Sequence, residues 1–242
     1  MCVLILLHRV VPDFPVVLAA NRDERYDRPA SPPRRVEAAL PYVAPHDLRT
    51  GGTWIGTNDA GLVAAVTNRH AAKDDPSRPS RGGLVPEALA AGNVTGARVR
   101  VERLLREVRP NGFHLLYADA HDASVTRGAD PIETIRLPPG LHVITNDHEL
   151  GEIDLLEADR IAAAAPAQSL LETVGALVEL LKERDPVAAG GYAPNKDRGD
   201  RGTVSSTVIA RAEPGRATGL FLHAEGPPHR TLHRDHSSLL RR

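Results

Sequence analysis

Short apolar runs separated by turn-forming residues constrain this chain more than any other feature of its sequence. Each run spans four to eight residues, which is typical of β-strands and short for helices. Neighbouring runs are separated by only a few residues, as at 53–57 and 62–67, which flank a predicted turn over 58–61. Strands joined in this way form hairpins, so the sequence predicts largely antiparallel sheets.

The predicted elements follow the order strands, helices, strands, helix, strands. Helices are predicted where leucine, valine and alanine recur every three or four residues, and Ser169 is a candidate N-cap. A long polar loop is predicted over 21–35, because Pro29, Pro32 and Pro33 exclude a regular helix. The predicted strands cover 3–7, 16–20, 53–57, 62–67, 113–118, 123–126, 132–137, 141–145, 203–210 and 217–223, and the predicted helices cover 84–91, 94–108, 155–164 and 169–181.

This order favours an α+β sandwich, in which two sheets are covered by helices, over a fold that alternates helices with parallel strands. A chain of 242 residues can bury one large core, and no shift in composition marks a linker. We therefore predict a single domain over 1–226 and a polar tail over 227–242, for which fraying is expected.

The composition argues against several classes of protein. The net charge is −1, whereas nucleic-acid-binding proteins usually carry a basic excess, so no nucleic-acid partner is predicted. No run of about 18 apolar residues occurs, so no transmembrane segment is predicted. The single cysteine excludes an internal disulfide and fits a reducing compartment, so we predict a cytoplasmic location.

Cys2 is the first candidate for chemistry. Methionine aminopeptidases usually remove an initiator methionine that precedes a small residue such as cysteine, which would leave a thiol and a free α-amine on Cys2. A thiol is an intrinsically strong nucleophile, and an adjacent amine with a pKa of about 8 can accept its proton. The alternative is that Cys2 is simply a small buried residue at the start of a strand.

Four polar residues directly follow the second predicted strand. If the first two strands pair as a hairpin, Asn21, Arg22, Asp23 and Glu24 lie near Cys2. Asp23 or Glu24 could then hold the α-amine, while Arg22 could lower the pKa of the thiol or bind a carboxylate. The alternative is a solvated loop with local ion pairs.

Asn68 and Asn146 each follow a threonine at the end of a predicted strand. An amide donor at a strand end suits an oxyanion hole, because it offers a hydrogen bond where negative charge develops. The alternative is that each asparagine serves only its local turn.

Three histidines in the tail would share a face if the segment were helical, namely His229, His233 and His236. Such a face could bind a metal ion. The surrounding glycine, proline and charged residues favour a solvated segment, so we predict no metal site.

The motifs that contain Cys2, Asn21 to Glu24, Asn68 and Asn146, taken together with others along the chain, closely resemble those of the NRDE family, also called the transport and Golgi organisation family. The family is similar to the N-terminal-nucleophile hydrolases that begin with cysteine, such as choloylglycine hydrolases and penicillin V acylases. The resemblance implies a four-layer αββα sandwich of two largely antiparallel sheets. The shared motifs run in one order from residue 1 to about residue 210: Met1-Cys2, Asn21-Arg22-Asp23-Glu24, Gly51-Gly52-Thr53-Trp54, Thr67-Asn68-Arg69, Thr145-Asn146 and Ser206-Thr207.

The resemblance also implies roles for individual residues. The catalytic positions are Cys2 as the nucleophile, Asp23 as the contact of the N-terminal amine, Asn68 in the oxyanion hole and Asn146 as a contact of the substrate or the amine. The predicted substrate-binding positions are Asn21, Arg22, Glu24 and Arg69.

Two positions depart from the family patterns. The hydrolases carry arginine where this chain has Ala20, and NRDE proteins usually carry arginine where this chain has Val204. Arg22 and Arg201 are the candidate replacements.

Two functions fit these observations. The first is acyl transfer or hydrolysis by Cys2 on an amide or thioester, for which no cofactor is required. The second is carriage of haem or an acyl compound such as an acyl-CoA, because eukaryotic relatives in the family are tied to haem trafficking and lipid homeostasis. Haem would need an axial histidine, cysteine, methionine or tyrosine. The sequence leaves the oligomeric state open.

Overall fold

Thirteen strands and three helices account for most of the regular structure in the computed structural model, which describes residues 2–69, 74–128, 131–146, 169–184, 193–213 and 219–240. The helices are α1 (Leu84–Leu89), α2 (Val94–Glu107) and α3 (Leu170–Lys182). The strands are β1 (Val3–Val11), β2 (Phe14–Arg25), β3 (Ala30–Val36), β4 (Tyr42–Asp47), β5 (Ile55–Asn58), β6 (Val63–Asn68), β7 (Phe113–Ala118), β8 (Ala123–Gly128), β9 (Glu133–Leu137), β10 (Gly140–Thr145), β11 (Arg201–Arg211), β12 (Leu220–Ala224) and β13 (Arg234–Asp235).

The strands form two antiparallel sheets. The first sheet has the order β10-β1-β2-β11-β12-β13, and the second has the order β3-β4-β5-β6-β7-β8-β9. Successive strands of the second sheet are neighbours, as expected for a chain of hairpins. The predicted hairpins of β1 with β2, β5 with β6 and β11 with β12 are confirmed.

The two sheets pack face to face, and helices cover both outer faces. Side chains alternate along each strand, so Leu4 and Leu18 of the first sheet meet Ile55 and Leu116 of the second in the inter-sheet core. Helix α3 covers the outer face of the first sheet, and α1 and α2 cover that of the second. The predicted four-layer αββα sandwich is therefore confirmed.

Helix α3 begins and ends close to the predicted bounds of 169–181. The backbone N–H of Glu172 donates to Ser169 Oγ, so Ser169 caps the helix as predicted. The helix buries Val174, Leu177 and Leu181 against the first sheet. The helix predicted over 155–164 lies outside the described residues.

The long loop predicted over 21–35 is wrong. Strand β2 continues to Arg25, and Ala30–Val36 forms β3. Proline cannot donate to a neighbouring strand but is tolerated at a sheet edge, and β3 is an edge strand whose pairing with β4 shifts between Ser31 and Arg34. Strand β4 was also missed by the sequence analysis.

The segment from residue 227, which the sequence analysis separates as a polar tail, is packed against the domain through residue 240. Strand β13 pairs with β12, and Leu240 is buried in the inter-sheet core. The expectation of fraying is therefore not met by residues 227–240, because Leu239 and Leu240 bury apolar surface there. No helix among the described residues is long and apolar enough to cross a membrane.

Replacing a buried leucine of α3 tests this packing. Leu177 is 0% exposed and Leu171, in the same helix, is 84% exposed. We expect Leu177→Ala to lower the free energy of unfolding by about 3 kcal/mol, because it removes buried methyl groups and leaves a cavity. Leu171→Ala should change it by less than about 0.5 kcal/mol. Urea denaturation measures both, and equal losses would contradict the placement of α3.

Candidate active site

The pairing of three strands of the first sheet places Cys2. Cys2 precedes β1 and continues its alternation with Leu4, so the thiol faces the space between the sheets. Val3 pairs with Asn21 of β2 on one side and with Thr145 of β10 on the other. The same register brings the end of β2 and the end of β10 beside Cys2.

Asp23 is a polar neighbour of Cys2. The backbone N–H of Asp23 donates to Cys2 Sγ at 3.4 Å, and the thiol lies 3.7 Å from the carbonyl oxygen of Asp23. Burial raises the pKa of the Cys2 thiol, and the negative charge of Asp23 raises it further. A base within reach is therefore needed to form the thiolate at neutral pH.

The carboxylate of Asp23 is held by β11. Thr203 Oγ1 donates to Asp23 Oδ1 at 2.6 Å and itself accepts from the backbone N–H of Lys196 at 2.9 Å. Burial raises the pKa of the Asp23 carboxyl, while the hydrogen bond from Thr203 opposes that shift. The hydroxyl of Thr203 thus orients the carboxylate beside Cys2.

Arg22 is a buried cation next to Cys2. Its side chain is 7% exposed, and its Nη2 donates to Asp47 Oδ2 at 2.7 Å. The guanidinium carbon lies 4.2 Å from the ring centroid of Trp54, within the range of a cation–π interaction. Because Arg22 belongs to β2 and Asp47 to β4, this ion pair connects the two sheets at the site.

The carboxylate of Asp47 accepts hydrogen bonds from several donors. Arg28 Nε donates to Oδ2 at 2.6 Å, and the backbone N–H groups of Arg49 and Thr50 donate to Oδ1. Burial alone would raise the pKa of the Asp47 carboxyl, but these hydrogen bonds and the charges of Arg28 and Arg22 outweigh it, so the pKa is lowered. Asp47 is therefore an ionised anchor for Arg22.

A cavity of about 420 Å³ opens in front of the Cys2 thiol. It lies between the ends of the two sheets and is closed on one side by residues 74–82. Five of the predicted site residues line it: Cys2, Arg22, Asp23, Glu24 and Asn68. Asn68 ends β6, and its side chain makes no hydrogen bond to any described residue, so its amide is available to a ligand.

Asn21 lies on the opposite face of β2 from Arg22. Its Nδ2 donates to the carbonyl of Leu181 at 2.9 Å and to that of Pro194 at 3.0 Å. The last carbonyls of a helix lack partners within the helix, so Asn21 satisfies one at the end of α3. Its amide therefore has a structural role, and Asn21 does not line the cavity with Cys2.

The other predicted residues lie around the cavity rather than in its described lining. Asn146 is buried beside Cys2 in the register of β10, and its Oδ1 has no hydrogen-bond partner among the described residues. Arg69 follows β6, and its backbone N–H donates to Gly112. Arg201 is exposed and paired with Asp200, whereas Arg22 is the arginine beside Cys2.

Sequence reasoning missed Asp47 and the role of Arg28. Asp47 lies in the strand that was not predicted, and its pairing with Arg22 spans 25 residues of sequence. Nothing in the sequence around Arg28 indicated a contact with Asp47. The signal that could have found both is the unpaired charge that a buried Arg22 would otherwise leave.

The histidines of the C-terminal segment do not share a helical face. His229 accepts from Asn195 Nδ2 at 2.7 Å, and His233 Nε2 lies 3.0 Å from Ser206 Oγ. Within the described ranges, no group of three histidine, cysteine, aspartate or glutamate residues is arranged to hold a metal ion.

Replacing Asp47 tests the buried ion pair. Because the pKa of Asp47 is lowered on folding, its ionised form stabilises the protein fully above pH of about 4 and progressively less as the pH falls through the folded-state pKa. We expect Asp47→Asn to lower the free energy of unfolding by about 3 kcal/mol at pH 7, since Arg22 loses its buried partner. The difference from the wild type should narrow towards pH 3.

Asp27→Asn is the matched control, because Asp27 pairs with Arg25 at the exposed surface and its loss should change stability little. Urea denaturation at several pH values measures both variants. A loss for Asp47→Asn that stays constant down to pH 3 would contradict the ionised anchor.

Comparison with known proteins agrees with this architecture. The model of the family "Transport and Golgi organisation 2" matches residues 1–185. The Transport and Golgi organization 2 homolog of Mus musculus is 29% identical over 148 residues, which are 55% of this chain and 51% of the relative. The chain thus spans about half the length of the curated relatives it matches.

Solved structures share the fold at low sequence identity. A variant of conjugated bile acid hydrolase from Clostridium perfringens has a TM-score of 0.63 at 11% identity, covering 98% of this chain and 93% of that chain. Penicillin V acylase from Agrobacterium tumefaciens has a TM-score of 0.58 at 17% identity, covering 93% and 83%. The chain therefore shares the fold of these two proteins. The match of the family model confirms the predicted family: the chain belongs to the Transport and Golgi organisation 2 family.

Proposed function

We propose that Cys2, once Met1 has been removed, is the nucleophile of an acyl-transfer or hydrolysis reaction on an amide or thioester. The observation that carries this proposal is the geometry of the 420 Å³ cavity, which the Cys2 thiol, the Arg22 guanidinium and the Asn68 amide line together. These supply a nucleophile, a buried positive charge and a hydrogen-bond donor in one space.

The α-amine of Cys2 is the proposed base. Burial raises the pKa of the thiol, so a base must take its proton, and an α-amine on the same residue has a pKa of about 8. In this proposal the carboxylate of Asp23, which accepts a hydrogen bond from Thr203 Oγ1, binds that amine. The positive charge of Arg22 favours the thiolate that results.

The proposed reaction has two steps, acylation of Cys2 and hydrolysis of the acyl-enzyme. The thiolate attacks the carbonyl carbon and forms a C–S bond, while the bond to the leaving nitrogen or sulfur breaks and the ammonium of Cys2 returns the proton to the leaving group. Water then attacks the acyl-thioester, gives its proton to the amine, and releases the acid and the free thiol. Asn68 would donate to the oxyanion in both steps, and Asn146 would contact the amine or the substrate.

Two neighbours in fold have names that describe acyl-amide chemistry, namely penicillin V acylase and conjugated bile acid hydrolase. Their names suggest penicillin V and a conjugated bile acid as the first substrates to test. An acyl-CoA is added as the thioester substrate that the proposal itself includes. The alternative is that the same cavity carries an acyl compound without reacting with it. Measuring turnover as well as binding distinguishes this alternative from catalysis.

Haem carriage in this cavity has less support. Among the described residues that line the cavity, Cys2 is the one side chain of a type that serves as an axial ligand of haem iron. A haem carrier would therefore have to use the same thiol that the acyl-transfer proposal uses.

Variants of Cys2 and Asn68 test the proposal. We expect Cys2→Ser to abolish turnover of the substrate that the wild type cleaves, while Asn68→Ala lowers kcat by about 100-fold because one oxyanion donor is lost. Alkylation of Cys2 by iodoacetamide should proceed at the wild-type rate in Asn68→Ala, since that reaction forms no oxyanion.

Asn93→Ala is the matched control for the loss of an asparagine amide. Asn93 is the N-cap of α2, so its replacement should cost about 1 kcal/mol of stability and leave kcat unchanged. Turnover that survives Cys2→Ser, or binding of an acyl compound by the wild type without any turnover, would contradict the catalytic proposal; the latter result would favour a carrier.

A further inference from the structure

Thr203 of β11 is a fully buried residue whose hydroxyl makes two hydrogen bonds. Its exposed fraction is 0%. The backbone N–H of Lys196 donates to Thr203 Oγ1 at 2.9 Å, and Oγ1 donates to Asp23 Oδ1 at 2.6 Å. A hydroxyl has one proton and a backbone N–H cannot accept it, so the contact with Lys196 leaves Asp23 as the acceptor. The carboxylate of Asp23 is thereby held at a fixed point of β11.

A bulge in β11 turns the side chain of Thr203 towards Asp23. Ser205 pairs with Arg22 of β2 and Thr203 pairs with Asp23, so β11 contains one extra residue, Val204, at this point. Paired residues of neighbouring strands present their side chains to the same face of the sheet, whereas Arg22 and Asp23 present theirs to opposite faces. In uninterrupted pairing Thr203 would face the side of Arg22. The bulge therefore redirects the hydroxyl to the carboxylate, as bulges beside active sites redirect side chains.

The backbone of Lys196 fixes the orientation of the Thr203 side chain. Besides the hydrogen bond to Oγ1, the carbonyl of Lys196 accepts from the backbone N–H of Thr203 at 2.9 Å. Glycine at position 202 permits this approach, because a Cβ on Gly202 would lie 2.5 Å from the carbonyl oxygen of Lys196. Two residues earlier, the carbonyl of Pro194 accepts from Asn21 Nδ2 at 3.0 Å. The segment that fixes Thr203 is therefore itself attached to the first sheet.

Several groups act on the charge of Asp23, and Thr203 is the uncharged one among them. Burial raises the pKa of the Asp23 carboxyl, and the positive charge at the start of the chain, the hydrogen bond from Thr203 and the charge of Lys196 oppose that shift. The neighbours of Asp23 on β2 are Arg22 and Glu24, and each forms an ion pair with another residue. The contribution of Thr203 can thus be removed without changing the net charge of the site.

We propose that Thr203 is a positioning residue for the reaction at Cys2: its hydroxyl holds the Asp23 carboxylate where it binds the α-amine of Cys2. The inference rests on the function proposed above, since that amine is free only after Met1 has been removed. Thr203 is not among the described residues that line the cavity, so it acts through Asp23 and not on the substrate. A role of this kind affects kcat more than KM.

Thr203→Val tests this role, because valine keeps the shape of threonine and removes the hydroxyl. With the substrate that the wild type cleaves, we expect kcat at neutral pH to fall at least about tenfold and KM to stay within about twofold. Thr203→Ser keeps the hydroxyl and should retain at least about half of the wild-type kcat, because the hydrogen bond to Asp23 is preserved.

The titration of Asp23 gives a second readout that needs no substrate. Carbon NMR of protein labelled at the aspartate carboxyls follows it, and the signal that Asp23→Asn removes assigns it. We expect the midpoint to rise by about one pH unit in Thr203→Val, because burial then acts without the opposing hydrogen bond. In Thr203→Ser the midpoint should match that of the wild type.

Thr207→Val is the matched control. Thr207 is also a buried threonine of β11, and its Oγ1 lies 2.9 Å from His223 Nδ1, outside the described lining of the cavity. This variant should leave kcat and the midpoint of Asp23 unchanged while losing a buried hydrogen bond, which separates the proposed role from a loss of stability.

The outcomes separate the role of Thr203 from the function proposed for Cys2. Wild-type kcat in Thr203→Val, or an unchanged midpoint of Asp23 in that variant, would overturn the role of Thr203 alone. A wild type that turns over no amide or thioester would overturn the proposed function and the catalytic role of Thr203 with it. A loss of kcat in Thr207→Val equal to that in Thr203→Val would also overturn the proposal, since it would indicate a general effect of buried hydroxyls in β11.

Discussion

The antiparallel register of β1 with its two neighbours is the constraint on which the candidate active site depends. Val3 pairs with Asn21 and with Thr145, and those pairings fix which residues of β2 and β10 can lie beside Cys2. A shift by one residue would turn the Cys2 thiol to the outer face and present Val3 to the cavity. Successive apolar side chains of β1 are buried alternately against α3 and against the second sheet, and a shift would exchange the two sets. The packing of the core therefore fixes the register that places Cys2 in the site.

The second constraint is the buried ion pair between the sheets. Arg22 and Asp47 come from different sheets, and each would be costly to bury without the other. Arg28, the backbone of Arg49 and Thr50, and the ring of Trp54 satisfy the remaining groups. These contacts hold the positive charge of Arg22 beside the Cys2 thiol, where an acyl-transfer reaction would generate negative charge.

Much of the fold could be predicted because the sequence patterns that specify its hairpins and helices are local. Hairpin strands and the capped helix α3 follow from runs of apolar residues, turn residues and a serine at the right place. The strand character of β3 was hidden by its prolines, which an edge strand tolerates and a central strand does not. The packing of the C-terminal segment depends on Leu240 reaching a core built by distant strands.

The candidate site was predictable only in part. Treating residues 21–35 as a loop allowed Asn21 and Arg22 to face the same pocket, but within a strand they must face opposite sides. Asn21 therefore secures the end of α3, while Arg22 and Asp23 approach Cys2. Asp47 was missed because a contact between two sheets leaves no periodic pattern in the sequence, and only the need of a buried Arg22 for a partner pointed to it.

The free N-terminal nucleophile is tested most directly by the intact mass of the protein after expression in a cytosol, measured before and after brief treatment with iodoacetamide. We expect a mass that lacks the initiator methionine, and a single alkylation at Cys2 that is faster than that of free cysteine. A chain that retains Met1, or a Cys2 no more reactive than free cysteine, would contradict a free and activated N-terminal nucleophile.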